Sequence, residues 1–183
     1  MPDISGSKVL IIATDGFEES ELFDPRQALL DAGAQVTLAS IKLDPITGEK
    51  NGEKGKSITP DITLDDVTSA DYDALLLPGG VANPDKLRME DRAVELVEEL
   101  CDDDKPVAAI CHGPWLLAEA DVIEGKRLTS WPSIRTDLAN AGADVVDEEV
   151  VVDGNLITSR KPDDIPAFSN ALIGALAEQT ADA

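Results

Sequence analysis

Residues 106–117 read PVAAICHGPWLL, and this stretch decides the fold. The apolar run 107–110 predicts a buried strand that ends at Cys111. His112, the only histidine of the chain, comes next, and a Gly-Pro pair then opens a helix-like stretch. This order is typical of a strand-to-helix elbow, a sharp turn that projects one side chain at the edge of a sheet. A thiol placed there meets the positive end of a helix dipole, which favours the nucleophilic thiolate.

Short apolar runs alternate with helical patterns on both sides of this elbow. Residues 9–13, 34–40 and 72–77 predict strands, while 91–104 and 163–178 predict helices. Such alternation is typical of an α/β fold with a mostly parallel sheet covered by helices. We expect one domain over residues 1–183, because the chain has no repeat and no linker-like segment.

Two shorter patterns complete the predicted fold. Asp24 and Pro25 together resemble the first two positions of a helix, so a helix is predicted to restart there. The polar, glycine-rich segment 42–57 predicts either a loop or a small β-hairpin excursion.

The charge of the chain is strongly negative. Asp and Glu total 37 against 15 Lys and Arg, which gives a net charge of -22. Self-repulsion of this kind destabilises a compact state in dilute buffer, whereas ~1 M salt shortens the Debye length to about 3 Å. The composition therefore predicts a protein from a halophile, or an acidic protein from an ordinary cell. Nucleic acid is excluded as a partner, because no basic patch can be assembled.

Other function classes are excluded by simple absences in the sequence. No apolar run reaches the ~18 residues that a membrane-spanning helix needs, and the N-terminus lacks a secretory pattern, so we predict a cytoplasmic protein. Two cysteines make no disulfide framework, and Cys101 falls on a helical stripe that predicts core packing. One histidine and two scattered cysteines form no metal cluster, so no metal is expected.

Several candidate functional residues follow predicted strands. Ligands of such folds bind beyond the carboxyl ends of the strands. Glu18 follows the first strand; it either is a first-turn carboxylate or shuttles a proton at Cys111, with a pKa raised by burial. Gly79 and Gly80 either form a simple turn or present backbone N–H groups as an oxyanion hole. His112 is a base or a surface residue, and its contact with Cys111 is open because neighbouring side chains on an elbow diverge.

Weaker candidates for substrate binding are Gly79, Trp115, Ser159 and Arg160. Ser159 and Arg160 follow a predicted hairpin and could equally be a solvated loop that leads into the last helix. Trp115 fits packing better than substrate contact.

Five segments together carry a resemblance to a known family. They are the elbow and the stretches DGFEESEL (15–22), LPGGVANPD (77–85), TSWP (129–132) and TSRKPDD (158–164). On these segments the sequence resembles the DJ-1/PfpI family, in its PfpI-like branch, within the class I glutamine amidotransferase-like superfamily. The resemblance covers nearly the whole chain.

The resemblance implies a three-layer flavodoxin-like sandwich with specific residue roles. It implies that Cys111 is the nucleophile, that Glu18 hydrogen-bonds the cysteine, and that the Gly80 and His112 amides form the oxyanion hole. It also implies that an acid from a neighbouring subunit orients His112. Asp85 matches that acid best, although the family often has glutamate there and the loop is one residue longer than in some members.

Three functions are compatible with these residues. The first is cofactor-free chemistry on small reactive carbonyls, of the glyoxalase III or deglycase type, with Cys111 and Glu18. The second is an intracellular cysteine peptidase that uses Cys111, His112 and Asp85. The third is a stress-protective redox sensor or chaperone in which Cys111 is oxidised. The expected partners are a small carbonyl or peptide substrate and further copies of the chain in a dimer or hexamer.

Overall fold

A twisted, mostly parallel sheet forms the middle layer of the computed structural model, which describes residues 2–182. The strands are β1 (Lys8–Ile12), β2 (Gln35–Ser40), β3 (Ile46–Lys50), β4 (Glu53–Ile58), β5 (Ile62–Thr63), β6 (Ala74–Leu77), β7 (Val107–Ile110), β8 (Arg127–Leu128), β9 (Asp144–Val145), β10 (Val150–Asp153) and β11 (Leu156–Ser159). The helices are α1 (Glu19–Asp31), α2 (Ala82–Leu87), α3 (Asp91–Asp102), α4 (Pro114–Glu119), α5 (Arg135–Asn140) and α6 (Ile165–Asp182).

Seven strands pair in the order β10-β11-β7-β6-β1-β2-β5. Every pair is parallel except β10 with β11, which is an antiparallel hairpin. Strands β6 and β7 are buried along their whole length, as the uninterrupted apolar runs in the sequence predict. The chain leaves β1 toward β2 and later returns to the other side of β1, so the strand order reverses there. Ligand sites of such sheets lie at this reversal.

Two apolar clusters cover the two faces of the sheet. Buried residues of α1 and α6, such as Leu29 and Phe168, pack on one face. Buried residues of α3, α4 and α5, such as Leu96, Leu116 and Leu138, pack on the other. The predicted three-layer α/β sandwich is therefore confirmed. No helix among residues 2–182 is long and apolar enough to span a membrane.

The segment 42–57 forms a small hairpin rather than a loop. Strands β3 and β4 make their own two-stranded antiparallel sheet. Asn51 and Gly52 connect them, both with positive φ (54° and 79°), which is the backbone of a tight type I′ turn. Glu49 of this hairpin forms an isolated parallel bridge with Glu18, so the hairpin lies beside the start of α1.

The predicted helix restart at Asp24 and Pro25 is wrong. Helix α1 begins at Glu19 and runs through Pro25 without a break. A proline inside a helix removes one backbone donor, here the one that would serve the Glu21 carbonyl. Burial of Leu22, Pro25 and Leu29 in the core offsets this loss.

Candidate active site

The predicted elbow is present at the carboxyl end of β7. Cys111 has a φ of 63°, in the left-handed region that side chains other than glycine rarely adopt. Its backbone N–H donates to the Ser159 carbonyl at 3.0 Å, which ties the elbow to the end of β11. Gly113 permits the turn, since a Cβ there would lie 2.7 Å from the Leu77 carbonyl oxygen. The fold therefore holds a strained backbone that directs the Cys111 thiol, 6% exposed, beyond the sheet edge.

Glu21, and not Glu18, is the carboxyl group beside this thiol, so the prediction for Glu18 is wrong. Glu21 is fully buried, and Gly79 N–H donates to its Oε2 at 2.8 Å. A Cβ on Gly79 would lie 2.5 Å from Glu21 Oε2 and 2.7 Å from the Cys111 Cβ, so both side chains pack against this glycine. Burial raises the pKa of Glu21 from 4.5 to about 8, against the opposing effect of the Gly79 N–H. Glu21 is thus a neutral acid over much of the physiological range.

The groups around the Cys111 thiol shift its pKa in opposite directions. Burial raises the pKa of Cys111, and the neighbouring Glu21 raises it further. The backbone N–H groups of Gly80 and His112 lower it, since both donate toward the sulfur. The pKa of Cys111 is therefore raised overall. A position at a helix N-terminus predicts the opposite, a lowered pKa and a thiolate. The charge repulsion from Glu21 disappears when its carboxyl group is protonated, so the thiolate forms more readily beside a neutral Glu21 than beside a carboxylate.

The two amides proposed as an oxyanion hole lie at the sulfur. Gly80 has a φ of 76°, and a Cβ at this position would overlap the Gly16 carbonyl oxygen. Only a glycine can therefore hold this N–H in place. With the His112 N–H it gives two donors converging near the thiol, which is the arrangement that stabilises charge developing on a substrate oxygen.

His112 contacts the nucleophile directly. Its Nδ1 lies 3.3 Å from the Cys111 Sγ, and its Nε2 lies 3.3 Å from the Ser133 Oγ. Burial lowers the pKa of His112 below 6.5, which favours a neutral imidazole at physiological pH. The ring also stacks near Trp131, with centroids 6.1 Å apart at 24°.

Asp85 is exposed on α2 and makes no hydrogen bond to the imidazole of its own chain. Within residues 2–182, the hydrogen-bond partners of the two His112 ring nitrogens are Cys111 and Ser133. The role of Asp85 in a neighbouring subunit remains a prediction.

The weaker candidates serve the structure rather than the cavity. The Ser159 carbonyl fixes the elbow, while the Arg160 guanidinium binds Asp164 and Asp147 at 2.9 and 3.0 Å. Trp115 donates from Nε1 to Asp137 at 2.9 Å, and the Arg88 guanidinium lies 5.4 Å from its ring. Trp115, Ser159 and Arg160 are not among the residues that line the cavity over the thiol, and their assignment to substrate binding stays a prediction.

A cavity of about 520 Å³ opens over the thiol. Its walls include Glu18, Glu21, Gly80 and His112 together with parts that the sequence did not predict. These are the hairpin residues Glu49, Asn51 and Gly52, and Trp131, Ser133 and Pro162 from loops beyond the sheet. Among residues 2–182 no group of three His, Cys, Asp or Glu side chains could hold a metal ion.

A model of the DJ-1/PfpI family matches residues 7–175. The chain belongs to the DJ-1/PfpI family. General stress protein 18 of Bacillus subtilis is 45% identical to it over 93% of this chain and 98% of that protein. Protein/nucleic acid deglycase 2 of Escherichia coli is 45% identical over 92% of this chain and 97% of that protein.

The fold is shared with a solved member of the same family. The crystal structure of Drosophila melanogaster DJ-1beta has a TM-score of 0.86 and 33% identity, covering 93% of this chain and 90% of that one. The DJ-1/PfpI resemblance predicted from the five segments is therefore confirmed.

Proposed function

We propose that this protein is a stress-protective, cofactor-independent enzyme that acts on small reactive carbonyls through the Cys111 thiolate and the Glu21 carboxyl group. The observation that carries this proposal is the fully buried Glu21, bonded to the Gly79 N–H and packed beside the thiol. The deglycase name of the Escherichia coli relative supports the same chemistry.

Methylglyoxal illustrates the steps. The Cys111 thiolate adds to the aldehyde carbon, and the new oxyanion accepts hydrogen bonds from the Gly80 and His112 amides. Protonation of that oxygen by Glu21 gives a hemithioacetal. The resulting Glu21 carboxylate takes the proton from the former aldehyde carbon and returns it to the neighbouring carbon. The hydroxyl proton on the former aldehyde oxygen passes to the neighbouring oxygen, so a lactoyl thioester forms. Water then releases lactate and regenerates the thiol, and methylglyoxal plus one water equals lactic acid.

The pKa of Glu21 suits a group that donates a proton in one step and accepts a proton in the next. A group with a pKa of about 8 is present in both protonation states near neutral pH, so it can donate a proton in one step and accept one in the next. An exposed glutamate near pKa 4.5 would be almost entirely ionised and a poor acid.

The test is conversion of methylglyoxal to lactate in high salt by the wild type, Cys111→Ala and Glu21→Gln. We expect no turnover with Cys111→Ala and a loss of at least about 10³-fold with Glu21→Gln, in line with removal of a general acid–base group. Glu18→Gln should lose far less than Glu21→Gln, and the exposed Glu98→Gln is the charge-matched control. A folded wild type without turnover, or Glu18→Gln losing more than Glu21→Gln, contradicts the proposal.

A cysteine peptidase is the second candidate, favoured by the 3.3 Å contact between the Cys111 Sγ and the His112 Nδ1. In that case His112 is the base, and Asp85 from another copy of the chain orients it in a homo-oligomer. Peptide hydrolysis that is lost in Asp85→Asn but kept in Glu21→Gln would favour the peptidase. The reverse pattern favours carbonyl chemistry.

A further inference from the structure

The charged side chains that line the cavity are carboxylates, whereas Lys50 and Lys56 line the adjoining groove that shares Glu18. Glu18 and Glu49 line the cavity, both half-buried, above the buried Glu21. No Lys or Arg belongs to the cavity lining within residues 2–182. A substrate in the cavity therefore lies beside two half-buried carboxylates.

The backbone fixes these two carboxylates side by side. Glu49 N–H donates to the Phe17 carbonyl at 2.7 Å, and the Glu18 N–H donates to the Gly79 carbonyl at 3.4 Å. The bridge between Glu18 and Glu49 keeps the hairpin against the start of α1. Burial raises the pKa of Glu18, and Glu19 and Glu49 add to this, whereas Lys50 opposes it. The repulsion between these carboxylates outweighs the attraction of the nearby lysine.

Two further features of the same cavity fit a positive charge. Trp131 is 38% exposed there, and an indole face attracts a cation through its quadrupole. The fully buried Glu21 lines the cavity floor, and its Oε1 has no hydrogen-bond partner among residues 2–182, so even as a neutral acid it can accept a hydrogen bond from an N–H group of a ligand. The site thus combines donors for a carbonyl oxygen at the floor with acceptors for a cation above it.

We infer that Glu18 and Glu49 make this site selective for carbonyl compounds that carry an ammonium or guanidinium group, and that they exclude carbonyl compounds bearing a carboxylate. The inference rests on the proposed function for the carbonyl chemistry, while the charge preference is a property of the cavity. Desolvated charge pairs near a protein surface interact more strongly than pairs in bulk water, which gives the two glutamates their effect.

Methanethiosulfonate probes test the charge preference without any turnover. The thiolate attacks the sulfenyl sulfur of the probe, a mixed disulfide forms, and methanesulfinate leaves. Three probes differ in charge: trimethylammonium-ethyl, methyl and sulfonatoethyl. Their rates at Cys111 are followed by mass spectrometry in a Cys101→Ala background. At ~1 M salt the Debye length is about 3 Å, so the distant charges of this acidic chain are screened.

We expect the cationic probe to react faster than the anionic one, relative to the same probes with a free thiol peptide. The cation-to-anion ratio should fall roughly three- to tenfold in Glu18→Gln and in Glu49→Gln, as expected for one nearby charge at intermediate dielectric. The ratio should not change in Glu98→Gln, which removes the same charge from an exposed site on α3.

A wild-type ratio equal to that of the peptide overturns the inference. So does an equal fall in Glu98→Gln, or a failure of every probe to reach Cys111. Because the probes need only the thiolate, a charge preference without methylglyoxal turnover rejects the proposed function alone. Turnover without a charge preference rejects this inference alone.

Discussion

Replacing Glu21 with glutamine should make the protein more stable in a pH-dependent way. Glu21 binds its proton up to a pH of about 8 in the folded state, whereas an unfolded glutamate releases it near 4.5. Between these values the folded state holds more protons than the unfolded state, so the free energy of unfolding falls as pH rises. Glutamine does not titrate, and its amide oxygen can still accept the Gly79 hydrogen bond.

The size of this stability difference follows from the shift in the pKa of Glu21. One pKa unit corresponds to about 1.4 kcal/mol, so the stability advantage of Glu21→Gln should grow by roughly 3 kcal/mol between pH 5.5 and pH 8. Above pH 8, where Glu21 is ionised, the free energy of unfolding is lower by roughly 5 kcal/mol than with the protonated side chain, by the same conversion. This is a large part of the stability of an ordinary domain, so the carboxyl group is a substantial cost at alkaline pH.

The assay is urea unfolding of wild type and variant in high salt at pH 5.5, 6.5, 7.5 and 8. The upper limit avoids ionisation of the cysteines in the unfolded chain. Glu98→Gln is the control and should show a constant difference from the wild type. A stability difference between wild type and Glu21→Gln that does not change with pH would refute the reasoning, because Glu21 would then be ionised in the folded state.

Three further predictions concern other parts of the molecule. The single imidazole signal of His112 in an NMR titration should have its midpoint below 6.5, because burial disfavours the charged ring, and a midpoint at or above 6.5 would contradict this. Gly80→Ala should destabilise the protein by about 3 kcal/mol or more in urea unfolding and abolish turnover, whereas Gly52→Ala, with the same sign of φ but open space around it, should cost only about 1–2 kcal/mol. The net charge of -22 predicts loss of structure below roughly 0.5 M salt, and a circular dichroism spectrum unchanged down to low salt would show that screening is not needed.

The elbow could be predicted because its signal is local. An apolar run followed by Cys111, His112 and a Gly-Pro pair specifies strand, turn and helix within twelve residues. The order of strands and helices likewise predicted the layers of the fold. These features depend on short-range backbone preferences and on hydrophobic pattern, which a sequence displays directly.

The correct glutamate could not be found in the same way. Glu18 and Glu21 are three residues apart, and which of them faces inward depends on where α1 begins. Pro25 suggested a helix start, but the helix begins at Glu19 and places Glu21 on a buried stripe with Pro25 and Leu29. The spacing of four residues between these three positions was a signal that could have identified the buried carboxyl group.

Ser133 and Trp131 gave no comparable signal. Both follow β8, a strand of only two residues, and they reach the cavity through a loop and a 3₁₀ turn. Their position results from tertiary packing, so periodicity does not mark them, and the TSWP segment that contains Trp131 does not show that this side chain lines the cavity.

Part of the β3–β4 hairpin can be replaced without changing the main sheet. The hairpin forms its own two-stranded sheet, its turn needs only the Asn51-Gly52 pair, and its side chains supply one wall of the cavity. A protein engineer could therefore lengthen or recharge the turn and β4, while keeping β3, whose Thr47 and Glu49 are hydrogen-bonded to Gly16 and Phe17 beside Gly80. In this architecture, selectivity can be redesigned separately from reactivity.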